Sequence, residues 1–113
     1  MSKSKEFYFL LDSGGALIAF QETGAAWAGV LAFSAEAGAR EFARRRKLDA
    51  AEVAAIDTGD TDAVAALVRS VKRRAIRSLL LDLDYATGRC IEIGFEGEAL
   101  GKSAERQFKP NPA

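Results

Sequence analysis

Short apolar runs separated by turn-forming residues open the chain, a pattern typical of β-strands. Residues 7–11 (FYFLL) and 16–20 (ALIAF) flank the turn sequence DSGG at 12–15 and predict a β-hairpin. Residues 30–33 (VLAF) predict a third strand. The glycine- and alanine-rich stretch 23–29 lacks a clear period and predicts a loop.

Helical signals follow the third strand. Ser34 offers an N-cap and Glu36 lies in the first turn, so residues 35–47 predict a helix. Residues 53–56 (VAAI) then predict a short strand, closed by the turn sequence at 57–59.

The second helix has the clearest pattern in the chain. Asp60 or Thr61 supplies its N-cap. The apolar residues after the cap follow the spacing of one buried helical stripe. They are Val64, Leu67, Val68, Val71 and Ala75.

Two further strands are predicted after this helix. Residues 78–84 (SLLLDLD) begin as a continuous apolar run, which is typical of a central strand buried on both faces. A turn at 85–89 leads to residues 90–95, whose alternation predicts a half-exposed strand at or near a sheet edge. The inward residues of that strand are expected to be Ile91, Ile93 and Phe95.

The order β-β-β-α-β-α-β-β predicts one α/β (α+β) domain over residues 1–113. Because helices between strands act as crossovers, we expect a single-layer mixed sheet of five to six strands with both helices on one face. Residues 1–5 and 97–113 are polar, so we expect them to be loosely ordered.

Composition excludes several classes of protein. With 49% hydrophobic and 28% charged residues, the 113-residue chain is typical of a globular domain. Sixteen basic and sixteen acidic residues give zero net charge, so there is no overall basic excess for nucleic acid. A single cysteine rules out an intramolecular disulfide, and the apolar run at 7–11 is too short for a signal peptide or a membrane span. We therefore expect a cytoplasmic location and no membrane partner.

The sequence contains no histidine, which excludes Ser-His-Asp and Cys-His catalysis. No phosphate-binding loop motif is present, and one cysteine cannot form a zinc cage. The sequence therefore predicts no catalytic residue, no cofactor and no enzymatic activity.

Asp57, Asp82 and Asp84 end predicted strands, where carboxylates can hold Mg²⁺. We favour the interpretation that they form turns, since no nucleophile, base or phosphate cradle accompanies them. Cys90 follows Arg89, a cation that could favour a reactive thiolate. A small buried apolar side chain is the favoured interpretation of this cysteine.

Two dense basic runs end the predicted helices: Arg44-Arg45-Arg46, and a run that contains Arg73 and Arg74. If the helices run in the same direction, these ends are expected to converge into one patch for an anion, nucleic acid or an acidic protein. Solvated helix ends are the favoured alternative, and no aromatic residues interleave the cations.

Parts of the chain resemble the N-terminal domain of SseB-like proteins. The resemblance rests on residues 29–36 (GVLAFSAE), 39–43 and 78–82 (SLLLD), and the matching pieces span about residues 7–95. Leu83 stands where the family usually has a proline. The resemblance implies an α/β domain that acts as an interaction module, and it transfers no catalytic residue.

Two functions follow as hypotheses. The first is a non-enzymatic module that binds a protein partner or itself, as a possible homodimer, through an edge strand or the loop around Trp27. Trp27 would anchor the interface if exposed, and the alternative that it fills the core is favoured. The second is an anion- or nucleic-acid-binding domain that uses the basic helix ends.

Overall fold

The computed structural model describes residues 6–20, 28–47, 50–84 and 86–107. These residues form two helices and seven strands, which confirms the α+β prediction with more strands than expected. The elements in chain order are β1 (Glu6–Asp12), β2 (Ala19–Phe20), β3 (Ala28–Phe33), α1 (Glu36–Arg46), β4 (Ala50–Asp57), α2 (Thr61–Lys72), β5 (Ile76–Asp84), β6 (Arg89–Glu96) and β7 (Ala99–Gln107).

All seven strands belong to one mixed sheet. Six of them lie in the order β4-β1-β3-β5-β6-β7, and the short β2 also pairs with β3. The central pair β3 and β5 is parallel, whereas the other neighbours are antiparallel. Among the described residues, β4 and β7 are therefore the two edges of the sheet.

The two helices cover opposite faces of this sheet, so the expectation that they share one face is wrong. Strand β4 lies two positions to one side of β3, and β5 lies three positions back to the other side of β4. These three strands are parallel to one another, and crossovers between parallel strands are almost always right-handed. The crossover from β3 to β4 moves in one direction along the sheet, and the crossover from β4 to β5 moves in the other. Because both crossovers are right-handed, α1 lies on one face and α2 on the opposite face.

Alternating residues along the strands build a core under each helix. On the α2 face, Phe7 and Phe9 of β1 pack in one cluster with Leu67 and Val71. On the α1 face, Leu10 packs with Ala39 of α1 in the other cluster. Strand β5 contributes to both clusters, which confirms that it is buried on both faces. Its buried apolar residues are Ile76, Leu79, Leu80, Leu81 and Leu83.

Helix α2 matches its predicted pattern closely. Asp60 is the N-cap, and its carboxylate accepts hydrogen bonds from the backbone N–H groups of Asp62 and Ala63, each 3.1 Å long. The predicted stripe is buried at Val64, Leu67, Val68 and Val71. Its last member is wrong: the helix ends at Lys72, and Ala75 is exposed with a positive φ of 58°.

Helix α1 differs from the prediction at its start. Its N-cap is Ala35, which makes no side-chain capping hydrogen bond, and the predicted cap Ser34 lies one residue earlier. The Ser34 side chain bonds to Asp82 at the end of β5 instead, at 2.7 Å. Tertiary contact has therefore replaced the expected local cap.

The expectation that residues 97–113 are loosely ordered is wrong for residues 99–107, which form β7. This strand pairs with β6 from Glu96↔Ala99 to Arg89↔Gln107. The tight turn between them places Gly97 at a φ of 60°, a left-handed conformation that glycine adopts without a Cβ clash. A glycine between two potential strands was the available signal for this hairpin.

Other strand boundaries also shifted. The predicted partner strand at 16–20 is reduced to β2, which pairs with β3, plus one bridge from Leu11 to Leu17. The predicted loop gives way to β3 at Ala28. In β6, Ile93 is buried as predicted, but Ile91 is 39% exposed.

Candidate interaction surfaces

The outer side of β4, which we call the open edge, is the most distinctive surface of the fold. The strand has eight residues, AAEVAAID, and pairs with β1 in regular register from Glu6↔Asp57 to Leu11↔Glu52. Its other side has no strand beside it within the described residues. An edge strand presents unpaired backbone N–H and C=O groups, which are available to another strand.

From residue 53 to residue 56, the side chains of the open edge are small or apolar. Val53 packs against the core on the α1 face and Ile56 against the core on the α2 face, so both fix the strand in place. Ala54 is half-buried and Ala55 is exposed. Residues 53–56 were predicted as a strand but not as an interaction surface. A strand without Gly, Pro, Lys or Arg was the signal that could have found them.

The basic helix ends do not form the expected single patch. Both helices run antiparallel to the strands they connect, but the sheet lies between them. In α1, Arg44 and Arg45 bind Glu41 of the same helix at 2.8 and 2.6 Å, and Arg46 lies beside them. The hydrogen bonds from Arg45 and Arg44 hold the pKa of Glu41 below its usual value. Arg44 and Arg45 therefore already have an acidic partner.

In the second basic run, Arg74 also has a partner within the protein. Arg74 donates a 2.8 Å hydrogen bond to the carbonyl oxygen of Leu17, which lies just before β2. Arg73, at the C-cap of α2, is exposed. The structure therefore uses Arg74 to join two parts of the fold.

The three candidate metal ligands are not brought together. Asp57 ends β4, and β1 and β3 separate that strand from β5, which carries Asp82 and Asp84. Asp57 accepts a hydrogen bond from the N–H of Gly59 in the following turn, at 2.8 Å. In the part of the chain that the structure describes, no cluster of three acidic or cysteine side chains could hold a metal ion.

Asp82 has a structural partner. Its carboxylate accepts hydrogen bonds from the backbone N–H of Ser34 at 2.9 Å and from the Ser34 hydroxyl at 2.7 Å. Asp82 has a positive φ of 54°, next to an irregularity in the β5–β6 register. These bonds tie the end of β3, just before α1, to β5. Asp84 accepts a hydrogen bond from the N–H of Ala86 in the next turn, at 3.0 Å.

Two open grooves, of about 450 and 460 Å³, lie on either side of the end of β5 and share Asp82 and Asp84. The larger one is floored by Phe33, Phe42 and Leu83. Both shared carboxylates already accept hydrogen bonds from the protein. We therefore do not assign Asp82 or Asp84 a ligand-binding role in either groove.

Cys90 is a core residue on the α1 face, only 7% exposed. Burial, followed by the nearby negative charge of Glu92, raises the pKa of its thiol to about 11. The thiol is therefore protonated at neutral pH, which is the opposite of what a nucleophilic cysteine requires.

Trp27, the other candidate interface residue, lies outside the described residues. Neither described helix has the length and apolarity needed to cross a bilayer.

Comparisons with protein-family models, with curated proteins and with solved structures find no significant match for this chain, so the SseB-like resemblance stays a prediction.

Proposed function

We propose that this protein is a non-enzymatic, cytoplasmic protein-interaction module that binds an extended strand along the open edge of β4. The observation that carries this proposal is that, within the described residues, no strand pairs with the outer side of β4. Natural sheets usually guard their edges with Lys, Pro, strand bulges or a covering segment. Between residues 52 and 57, β4 has regular pairing and neither Lys nor Pro.

Strand addition suits the geometry of this edge. The backbone of the incoming strand supplies hydrogen bonds, and alternate side chains supply specificity on the two faces of the sheet. Ala54 faces the α2 side with Ile56, whereas Ala55 faces the α1 side with Val53. Small alanines next to larger apolar residues leave room for the side chains of a partner strand.

The chemistry of the described residues supports binding over catalysis. The only cysteine is protonated, and the candidate aspartates serve the fold itself. The chain also lacks histidine. The basic helix ends lie on opposite faces, which removes the geometric basis for a single anion-binding patch.

Peptide selection tests the proposal. The protein, immobilised sparsely as single copies, is offered a random library of peptides as long as β4. We expect enrichment of extended sequences with alternating β-branched residues, since these suit a pleated edge. Their binding should be lost in Ala55→Lys, which places a charge on the exposed side of the open edge.

Ala104→Lys is the matched control, because it makes the same change at an exposed position of the opposite edge strand, β7. It should keep the selected peptides bound. The proposal fails if no peptide is enriched, or if both variants retain binding equally.

A further inference from the structure

The open edge of β4 has a sequence that can pair with itself. This inference rests on the proposed function and identifies its partner. We infer that two copies of the chain associate through antiparallel β4–β4 pairing, with a two-fold axis at Ala54. The zero net charge of the chain removes the long-range repulsion that keeps strongly charged proteins apart.

Symmetry limits the possible registers to a few. In an antiparallel pair, residues directly opposite each other have side chains on the same face of the sheet. A two-fold axis perpendicular to the sheet keeps each residue on its own face. The residue on the axis must therefore lie opposite its own copy, as it does in any isologous dimer.

The acidic residues of β4 decide between the registers. With Val53 on the axis, the two Glu52 side chains lie two residues apart on one face, about 7 Å by strand geometry, and repel each other. With Ala54 on the axis, they lie four residues apart, about 13 Å, which exceeds the Debye length of about 8 Å in physiological salt. The Ala54 axis therefore relieves the repulsion.

Overlap of the strands favours the same axis. With Ala54 on the axis, residues 51–57 of one copy all lie opposite residues of the other. With Ala55 on the axis, the overlap within β4 shrinks to residues 53–57. In the Ala54 register, Val53 lies opposite Ala55 on the α1 face. On the α2 face, Ala54 lies opposite its own copy, beside the Glu52–Ile56 pairs, so each face gains an apolar contact. Only the Ala54 axis combines long overlap with separated acids.

The dimer extends the sheet of each copy into a continuous one. Both α1 and α2 contact β4, so the helices flank the new junction on both faces. Of the two edges formed by the described strands, each copy then keeps only β7. The self-paired state thus removes the least protected strand edge from solvent.

Analytical ultracentrifugation over a concentration series tests self-association. We expect a reversible monomer–dimer equilibrium for the natural chain. In Ala55→Lys the two lysines lie on the same face, two residues apart across the axis, so the dimer dissociation constant should rise about tenfold or more. Ala104→Lys on β7 should leave it unchanged.

Oxidative cross-linking tests the register. In Ala54→Cys the two Cα atoms face each other at about 4.5–5.5 Å, inside the range of about 4.4–6.8 Å that a disulfide spans. A mild thiol oxidant should therefore convert this variant to a covalent dimer. Ala55→Cys is the matched control: it leaves Glu52 in place, and its two Cα atoms lie diagonally across the axis at about 7–8 Å, beyond that range. The natural chain reports any background from Cys90, which is buried.

The outcomes separate the two proposals. A strict monomer at high concentration, a dimer indifferent to Ala55→Lys, or cross-linking at position 55 instead of 54 overturns self-pairing. If the monomer still binds selected peptides in a manner that Ala55→Lys abolishes, strand addition stands and the partner is another protein. Should Ala55→Lys fail to fold by circular dichroism, the pair of cysteine variants decides alone.

Discussion

The two edge strands of the sheet, β4 and β7, differ in the charges they carry. Strand β7 carries Lys102, Glu105 and Arg106, and its residues from 102 to 107 are all exposed. Strand β4 has no basic residue, and both of its acids lie away from the middle of the strand. Charges along an edge discourage pairing with another chain. Within the described residues, β4 is therefore the edge less protected by charge.

The edges also differ in what holds them. Strand β4 contributes Val53 and Ile56 to the two cores. Strand β7 contributes Leu100, and its turn is tied to α2 by an Arg69–Glu98 ion pair of 2.9 Å and a 2.8 Å hydrogen bond from Lys72 to the carbonyl of Gly97. A mostly polar strand therefore depends on its neighbours, whereas β4 is held by its own side chains.

The largest expected effect is a loss of global stability that affects both edge strands equally. Leu80 is fully buried on the central strand β5. It packs closely over Gly29 of β3, since a Cβ added to that glycine would lie only 2.5 Å from the Leu80 Cγ. Leu80→Ala opens a cavity in the core on the α1 face and should lower the free energy of unfolding by about 2–5 kcal/mol. Urea denaturation measures the loss. Hydrogen exchange should show equal loss of protection for the amides of β4 and β7 that unfold globally.

Ile91→Ala is the control for Leu80→Ala, because Ile91 is the exposed large apolar residue of the described chain. Its truncation should cost well under the loss seen at Leu80. If β7 kept its protection while β4 lost it, the two edge strands would belong to separately unfolding units. Their protection would then not report one cooperative fold.

Local patterns were sufficient to predict the elements that carry their own apolar signal. The stripe of α2 and the apolar run of β5 are encoded by residues a few positions apart, and both predictions are confirmed except at Ala75. Strand β7 has only one larger apolar residue, Leu100, and becomes a strand by pairing with β6. The faces of the helices depend on where β4 inserts in the sheet, which is a long-range choice without a local signature.

The candidate site follows the same division. Cys90 is a core residue, as predicted, because an isolated cysteine in a strand usually is one. The grouping of Asp57 with Asp82 required β4 and β5 to be neighbours, which they are not. The open edge of β4 becomes visible only once strand order is known, since any strand sequence is compatible with several positions in a sheet.

Alkaline pH should weaken the side of the sheet that ends in β7, through Cys90 on the adjacent strand β6. Burial raises the pKa of this thiol to about 11, whereas the unfolded thiol ionises near its ordinary value of 9.0. Its contribution to stability is therefore complete below pH 9 and is lost as the pH rises towards 11. The expected loss is about 2–3 kcal/mol at the upper end of this window.

Denaturation curves of the natural chain and of Cys90→Ala, collected across this pH range, measure that contribution. Tyrosines and lysines titrate in both proteins, so the difference between the two curves isolates the thiol. The difference should shrink as the pH rises, because the natural chain loses what the alanine variant never had. Parallel curves would mean that Cys90 is more accessible to water than its burial indicates.

The smallest expected effect concerns β7 alone. The Arg69→Ala, Lys72→Ala double variant removes the two contacts from α2 to the β6–β7 turn. Since the ion pair is exposed, its loss should cost only about 0.2–1 kcal/mol, and high salt should reduce the effect. Exchange should quicken at the β7 amides bonded to β6, while β4 keeps its protection.

Arg40→Ala is the matched control, because it breaks an ion pair with Glu36 of similar length and exposure inside α1, away from β7. Equal acceleration in the control, or faster exchange in β4, would show that α2 does not brace this edge, and the contrast between a braced and an open edge would then rest on charge alone.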